Sequence, residues 1–313
     1  MRMIDGAAVD QATDWPRIVA ALRHGHSRPK PQIGDLYFSE AGNGLLTRGA
    51  WISGLGSLVK AATVFPGNVS RAPALPSVQG AVLLFDKVTG GVRAIIDGAS
   101  VTRWKTAGDS ALGSELLSRP DSRILLMIGA GVMAEPLVRA HVSVRPALAA
   151  IAIWNRSAER AEALAARLAD LGRPVSIVSD LEAGIRAADI ISAATMSETP
   201  IVRGQWLKPG THVDLVGAYT PKMREADDDA MRRARVFVDF RGTTIHHIGE
   251  LMDPIRTGVI GAADVLGDLY DLVGGSPGRR SATDITLYKN GGGAHLDLMT
   301  ALAIVEAVEV GAR

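Results

Sequence analysis

The stretch Ile124-Leu-Leu-Met-Ile-Gly-Ala-Gly-Val-Met-Ala134 decides how this chain is read. Ile124–Ile128 is a continuous apolar run, as expected of a parallel strand covered on both faces. Gly129, Gly131 and Ala134 follow as G-x-G-x-x-A, leading into an amphipathic segment that reads as a helix over 132–144. Each position has a physical reason. Gly129 permits the tight turn out of the strand, Gly131 lets the backbone approach a pyrophosphate, and Ala134 keeps the helix close to the sheet. The diphosphate then faces free N–H groups at the helix start, around Val132 and Met133. Alone the pattern is weak in a chain with 34 glycines. The buried strand before it and the helix after it give it weight, and it implies a bound nicotinamide dinucleotide.

Downstream the same alternation repeats. Ala150–Trp154 reads as a strand and 158–171 as a helix, and further strands are expected at 175–178, 190–194, 212–216 and 236–238. This is the signature of an α/β fold with a Rossmann-type doubly wound parallel sheet. The second strand ends in Asn155-Arg156-Ser157, with no Asp or Glu to take a ribose 2′-hydroxyl. Arg156 and Ser157, with Arg160 one turn on, suit a 2′-phosphate, so NADP(H) is favoured over NAD(H). The alternative has Asn155-Arg156 merely capping the next helix, with Arg156 in solvent. Ala194, Thr195 and Met196 end the fourth strand, where small residues let a cofactor lie close.

Upstream the chain is less regular. A short helix is expected at 15–23 and a Pro-rich stretch at 28–31. Strand-like runs at 44–51, 58–65, 81–85 and 93–96, punctuated by Gly and Pro, suggest a mostly antiparallel sheet, and 101–117 reads as a helix. The polar segment 118–122 is the expected boundary. A last helix at 297–308, after the glycine run 291–293, is expected to pack back on the first domain. The organisation is then an α+β domain at 1–118, completed by a C-terminal helix at 294–313, and a Rossmann domain at 119–293. Lys60 is a lone cation in an apolar strand, either a site residue or a snorkelling edge residue; a site is favoured.

Composition narrows the classes. The 313 residues carry 34 basic and 33 acidic side chains, a net charge of +1, which argues against nucleic-acid binding. With no cysteine, disulfides, thiolate metal sites and cysteine nucleophiles are excluded. The first 14 residues lack the pattern of a signal peptide and no apolar run is long enough for a membrane span, so a cytoplasmic protein is expected. His246, His247 and Glu250 match no strong zinc spacing, and no metal is expected.

The chain resembles the ornithine cyclodeaminase/μ-crystallin family over nearly its whole length. The resemblance rests on Lys60-Ala-Ala-Thr-Val-Phe-Pro-Gly-Asn68, Val78-Gln-Gly-Ala-Val-Leu-Leu-Phe85, Thr106-Ala107 ahead of Ser110-Ala-Leu112, and Ile128-Gly-Ala-Gly131. It continues in Ile153-Trp-Asn-Arg156, Lys208-Pro-Gly-Thr-His212 and Val216-Gly217. It implies a homodimer, with the first domain and last helix forming the dimerisation and substrate half. It also implies cofactor-dependent chemistry at a carbon that bears an amino or imino group beside a carboxylate. Val216, Gly217 and Gly292 complete the candidate cofactor set. A cationic cluster is implied for the substrate carboxylate: Lys60 matches the family lysine, and Lys105 stands where the family has arginine, keeping charge but losing the bidentate fork. The other family arginine falls on Gln32, with Arg48 near it in sequence. Asp297 matches a family Asp, read here as an N-cap first and a site residue second.

The main departure is at Val216-Gly-Ala-Tyr-Thr-Pro221, where Tyr219 stands in the place of the cyclodeaminase Asp. A phenol of pKa near 10 cannot act as that carboxylate at neutral pH. Glu225 and Asp227 look like solvated helix-start residues, as does the run 227–229. Three functions are therefore weighed: an NAD(P)-dependent imine reductase or amino-acid dehydrogenase acting on a small imino or amino acid, an ornithine cyclodeaminase, and a non-enzymatic dinucleotide or ligand binder. The first fits best, with Lys60, Lys105 and Tyr219 as candidate catalytic residues.

Overall fold

The computed structural model describes residues 1–311; positions 312 and 313 of the stretch expected to form the last helix lie outside the described residues. The chain divides into two compact units, 1–106 with 293–313, and 107–292.

The first unit holds a six-stranded sheet. Its elements are β1 (Arg2–Ile4), α1 (Gly6–Ala12), α2 (Trp15–His26), β2 (Gln32–Glu40), β3 (Asn43–Ile52), β4 (Gly56–Val64), β5 (Val78–Phe85) and β6 (Val92–Asp97). The strand order is β1-β6-β5-β4-β3-β2, antiparallel throughout except for the parallel pair β1 and β6. α3 (Gly98–Leu117) then carries the chain across the division, which falls between Thr106 and Ala107, inside the helix and ahead of the polar segment 118–122. The C-terminal helix (Ala294–Gly311) packs on α2, β3 and β4. Alternation along the strands puts Ile52, Leu58, Val82, Leu84 and Ile96 inward, essentially without exposure. Each such side chain stabilises the fold by about 1.5–3 kcal/mol. β1, β2 and α1 are not expected from the sequence. In β2 the apolar run Leu36-Tyr-Phe38 does not alternate, and the structure leaves all three exposed on both faces of the β2–β3 hairpin.

The second unit is an eight-stranded, wholly parallel sheet. Its elements run β7 (Ile124–Ile128), α4 (Ala134–Val144), β8 (Ala150–Trp154), α5 (Ala158–Arg167), β9 (Val175–Ile177), α6 (Leu181–Ala187), β10 (Ile190–Ala193) and β11 (His212–Leu215). There follow α7 (Asp228–Arg233), β12 (Ala234–Val238), α8 (Arg241–Thr244), α9 (Gly249–Arg256), β13 (Val265–Gly267), α10 (Leu269–Val273) and β14 (Ile285–Lys289). The order β13-β12-β14-β11-β10-β7-β8-β9 makes this a doubly wound α/β sheet. The chain reverses its winding between β7 and β10, the crevice where such sheets bind ligands. Leu126, Ile128, Ile191, Val213, Leu215 and Leu287 fill its core. β14, absent from the sequence reading, is inserted beside β11.

Inside this core lies one polar knot. Asp214 is fully buried; it accepts from Ser110 Oγ of α3 at 2.8 Å and Ser192 Oγ of β10 at 2.7 Å, and His141 Nε2 of α4 lies 3.1 Å away. One carboxylate thus fixes two helices against the sheet, and a buried donor left without it is costly. Asp214→Ala should reduce unfolding stability by about 2–5 kcal/mol. Urea unfolding followed by far-UV circular dichroism measures it; a loss below about 0.5 kcal/mol would remove the knot from the account.

Candidate active site

The carboxyl edge of the parallel sheet is shaped by glycines. Gly129 leaves β7 with φ +106°, and a Cβ there would lie 2.7 Å from the Ala194 carbonyl oxygen. Gly217, after β11, is tighter still: a Cβ would lie 1.8 Å from the Thr195 carbonyl oxygen. The segment after β10 is therefore held between two backbones that come close only because neither carries a side chain. At Gly131 nothing lies within 4 Å of a would-be Cβ, so the backbone there faces open space. α4 begins at Ala134, two residues later than expected, and no side chain caps its first turn. Val132 is almost fully exposed and Met133 half-buried in the turn before it, while Ala134 is buried against the sheet. Open backbone, an uncapped helix start and a buried third position fit a dinucleotide diphosphate.

At the end of β8, Ser157 caps α5 by accepting from Arg160 N at 3.4 Å, and Asn155 Nδ2 donates to the Ser157 carbonyl at 2.9 Å. Arg156 and Arg160 are exposed on the same turn. Ala194 and Thr195 are half-buried, Met196 is exposed, and Val216 and Gly217 are half-buried. Gly292 is placed differently. It is buried, and its N–H donates to Asp239 Oδ2. Tyr219 is 60% exposed.

Glu225 requires a correction. Expected in solvent, it is fully buried. Its carboxylate accepts from the Thr195 and Gly217 backbones, and Glu250 accepts from the N–H groups of Glu225 and Ala226. Burial pushes the Glu225 carboxyl up to about 7, with Lys289 opposing and Glu250 adding to the rise. The surrounding charges, Lys222, Arg224 and the acidic run, gave the segment a solvated look. Asp227, by contrast, does cap α7, accepting from Ala230 N at 2.9 Å. Lys289, buried in β14, was missed although it carries the same signal as Lys60, a lone cation in an apolar strand.

The first unit gathers the cations. Lys60 of β4 is buried, and its Nζ donates to Asp297 Oδ1 at 3.0 Å and to Thr102 Oγ1 at 2.5 Å. Thr102 hands its own proton to the Gly98 carbonyl at 2.7 Å. Arg48 stands directly across from Lys60 in the β3–β4 ladder and also bonds Asp35 at 2.5 Å. Asp297 is not an N-cap, which corrects the first of its two readings: it lies inside the first turn of the C-terminal helix, fully buried. Burial opposes its ionisation, but Lys60, Lys105 and Arg48 outweigh burial and hold its carboxyl below the ordinary value. It is therefore a carboxylate at neutral pH, faced by three cations. Two buried atoms here have no hydrogen-bond partner among the described residues, Arg48 Nε and Asp297 Oδ2. Gln32 begins β2, exposed and paired with Trp51, away from Arg48 in the ladder. His295 and His26, next to the cluster, have their pKa pushed down by burial and remain neutral.

The family model described as ornithine cyclodeaminase/mu-crystallin family matches residues 53–311. A Delta(1)-pyrroline-2-carboxylate reductase of Paracoccus denitrificans (strain Pd 1222) is 50% identical over 295 residues, 94% of this chain and 93% of its own. The ketimine reductase mu-crystallin of Mus musculus is 32% identical over 249 residues, 79% of this chain and 75% of its own. Among solved structures, the Thermococcus litoralis Delta(1)-pyrroline-2-carboxylate reductase in complex with NADH and L-proline has a TM-score of 0.91 at 26% identity, covering 99% of this chain and 98% of that one. With its parallel sheet, its glycine-shaped edge and its buried cations, the chain belongs to the ornithine cyclodeaminase/mu-crystallin family.

Proposed function

We propose that this chain is an imine reductase that acts on a cyclic ketimine carboxylate such as 1-pyrroline-2-carboxylate and prefers NADP(H). The observation that carries the substrate class is the cationic cluster around Asp297. Lys60, Lys105 and Arg48 together hold the buried Asp297 carboxyl in its ionised form, and a concentration of cations in one place suits an anionic substrate group. Lys60 spends two of its three ammonium protons on Thr102 and Asp297, which leaves one for the substrate. Arg48 Nε, a buried donor, is the second group suited to a carboxylate. Lys105, in place of an arginine, adds charge without a fork.

The first unit binds the imino acid through Lys60, Lys105 and Arg48. The second unit holds the dinucleotide: Gly129, Gly131, Val132, Met133 and Ala134 take the diphosphate, and Ala194, Thr195, Met196, Val216 and Gly217 line the nicotinamide end. A reduced nicotinamide held there would supply the hydride for the imine carbon, and solvent would supply the proton for the nitrogen. Fixing the carboxylate removes rotational freedom from the imine carbon beside it. Tyr219 provides an apolar wall with a polar tip, suited to a ring without a distal ammonium. Asp227 caps α7 and Glu225 is engaged by backbone, so neither supports a cyclodeaminase reading. The exposed Leu36, Tyr37 and Phe38 support a homodimer built through the β2–β3 hairpin.

The test is NADPH oxidation with 1-pyrroline-2-carboxylate, run beside ammonia release from ornithine with catalytic NAD. Stoichiometric oxidation with the imine and no ammonia from ornithine is expected; robust proline formation from ornithine would overturn the reading. In the same assay Lys60→Met should lower kcat/KM at least about 30-fold, as for a lost desolvated ion pair. Cofactor affinity and thermal midpoint serve as controls, and near-normal efficiency would remove Lys60 from substrate binding.

Cofactor choice rests on Arg156 and Ser157, with no acid at the end of β8. Arg156→Ala should weaken NADPH binding about tenfold and NADH binding by no more than about twofold, as for one charge-assisted phosphate contact. Titration of both cofactors into both proteins decides this; equal losses would assign Arg156 to solvent.

A further inference from the structure

The carboxylate of Glu225 accepts four hydrogen bonds, divided with regard to place. Its Oε1 accepts from Thr195 N at 2.7 Å and Thr195 Oγ1 at 2.8 Å. Its Oε2 accepts from Gly217 N at 2.7 Å and Ala218 N at 3.3 Å. One oxygen serves the segment after β10 and the other the segment after β11. The backbone that carries Glu225 is fixed in turn by Glu250 of α9, which accepts from Glu225 N at 2.8 Å and Ala226 N at 2.9 Å. Lys289 of β14 donates to the Leu215 carbonyl at 2.8 Å, at the end of β11.

We propose that Glu225 is a positioning residue for the nicotinamide end of the cofactor, a clamp that ties the segment after β10 to the segment after β11. This rests on the reading that Ala194–Met196 and Val216–Gly217 line that end. Glu225 reaches its effect through Thr195 and Gly217 and touches neither hydride donor nor acceptor.

The clamp depends on charge. A carboxylate is an acceptor only, and three of its four neighbours are backbone N–H groups that cannot accept, the fourth being the Thr195 hydroxyl; protonation takes acceptor capacity from the carboxyl and weakens its hold on these donors. The charged groups facing Glu225 are Glu250 from α9 and Lys289 from β14; Lys289 acts on both acids, and Arg224 also acts on Glu250. Burial, above all, raises the Glu225 carboxyl to about 7. The sign follows directly. Cofactor binding favours the ionised clamp, so affinity is full above this value and falls as pH drops through it, by up to about tenfold per unit. The same raised value means that ionising Glu225 costs folding stability as pH rises from the ordinary Glu range towards 7. A group kept charged against that cost is more consistent with a site than with a stabilising core contact.

The experiment compares NADH with ADP-ribose, which has the diphosphate but no nicotinamide. Binding of each to the full-length protein is measured by calorimetry between about pH 6 and pH 8, with Glu225→Gln beside wild type. The clamp predicts that NADH affinity of the wild type falls at least about threefold from pH 8 to pH 6 while ADP-ribose affinity stays within about twofold. Glu225→Gln, whose amide nitrogen cannot accept from the backbone donors on its side, should bind NADH about tenfold more weakly at pH 8, without that pH dependence, and ADP-ribose normally. Equal pH profiles for the two ligands, or a Glu225→Gln protein with wild-type NADH binding and profile, would overturn the clamp and leave the dinucleotide reading standing. A wild type that binds neither ligand would overturn both. Should Glu225→Gln fail to fold, the wild-type comparison of the two ligands decides alone.

Discussion

The second unit depends on a close approach of backbones. Ala194 and Thr195 lie between Gly129 and Gly217, where a single methyl would meet the Ala194 and Thr195 carbonyl oxygens at 2.7 and 1.8 Å. Because no side chain intervenes, the ends of β7, β10 and β11 form one surface at the crevice where the winding reverses. Glu225 ties the two flanking segments together by accepting from both. The uncapped start of α4 opens onto the same edge, and Asp214 holds that helix in place through His141. The cofactor reading thus follows from packing as much as from the G-x-G-x-x-A pattern.

Two buried ionic groups show opposite solutions to the same cost. Asp297 meets three cations, and its carboxyl is held below the ordinary value. Glu225 shares one lysine with a second acid, and its carboxyl is raised to about 7. Buried charges of either kind are poor evidence of stability, since removal from water costs about as much as pairing returns. Their retention points to function. Three cations act on Asp297, whereas the Glu225 carboxylate is met mainly by backbone donors.

Much of this was legible in the sequence. Ile124–Ile128 and Ala150–Trp154 were read to the residue because a doubly covered parallel strand is apolar at every position. β14 was missed because Thr286 and Lys289 interrupt its apolar run and a segment rich in Gly, Pro and Arg precedes it, so short-range pattern could not separate it from a loop. β2 was missed because Leu36-Tyr-Phe38 breaks the alternation that a half-buried strand should show. Lys60 stood out as a cation among apolar neighbours, but its partner Asp297 is brought to it only by folding. Asp297 looked like a cap because it follows the glycine run; the helix starts at Ala294 and places it one turn in. Glu225 failed for a related reason. Local charge suggested solvent, while the groups that bury it, Thr195 and Glu250, lie on other elements.

The central claim is that a hydride passes from a bound nicotinamide to the imine carbon of an imino acid. Deuterium labelling tests it most directly. NADPH carrying deuterium on one face of nicotinamide C4 is supplied with 1-pyrroline-2-carboxylate, and the proline formed is analysed by NMR and mass spectrometry. The account requires one deuterium, at C2 of proline, from one of the two C4 faces and none from the other. Proline without label from either face, or cofactor that is needed but never consumed, would contradict it.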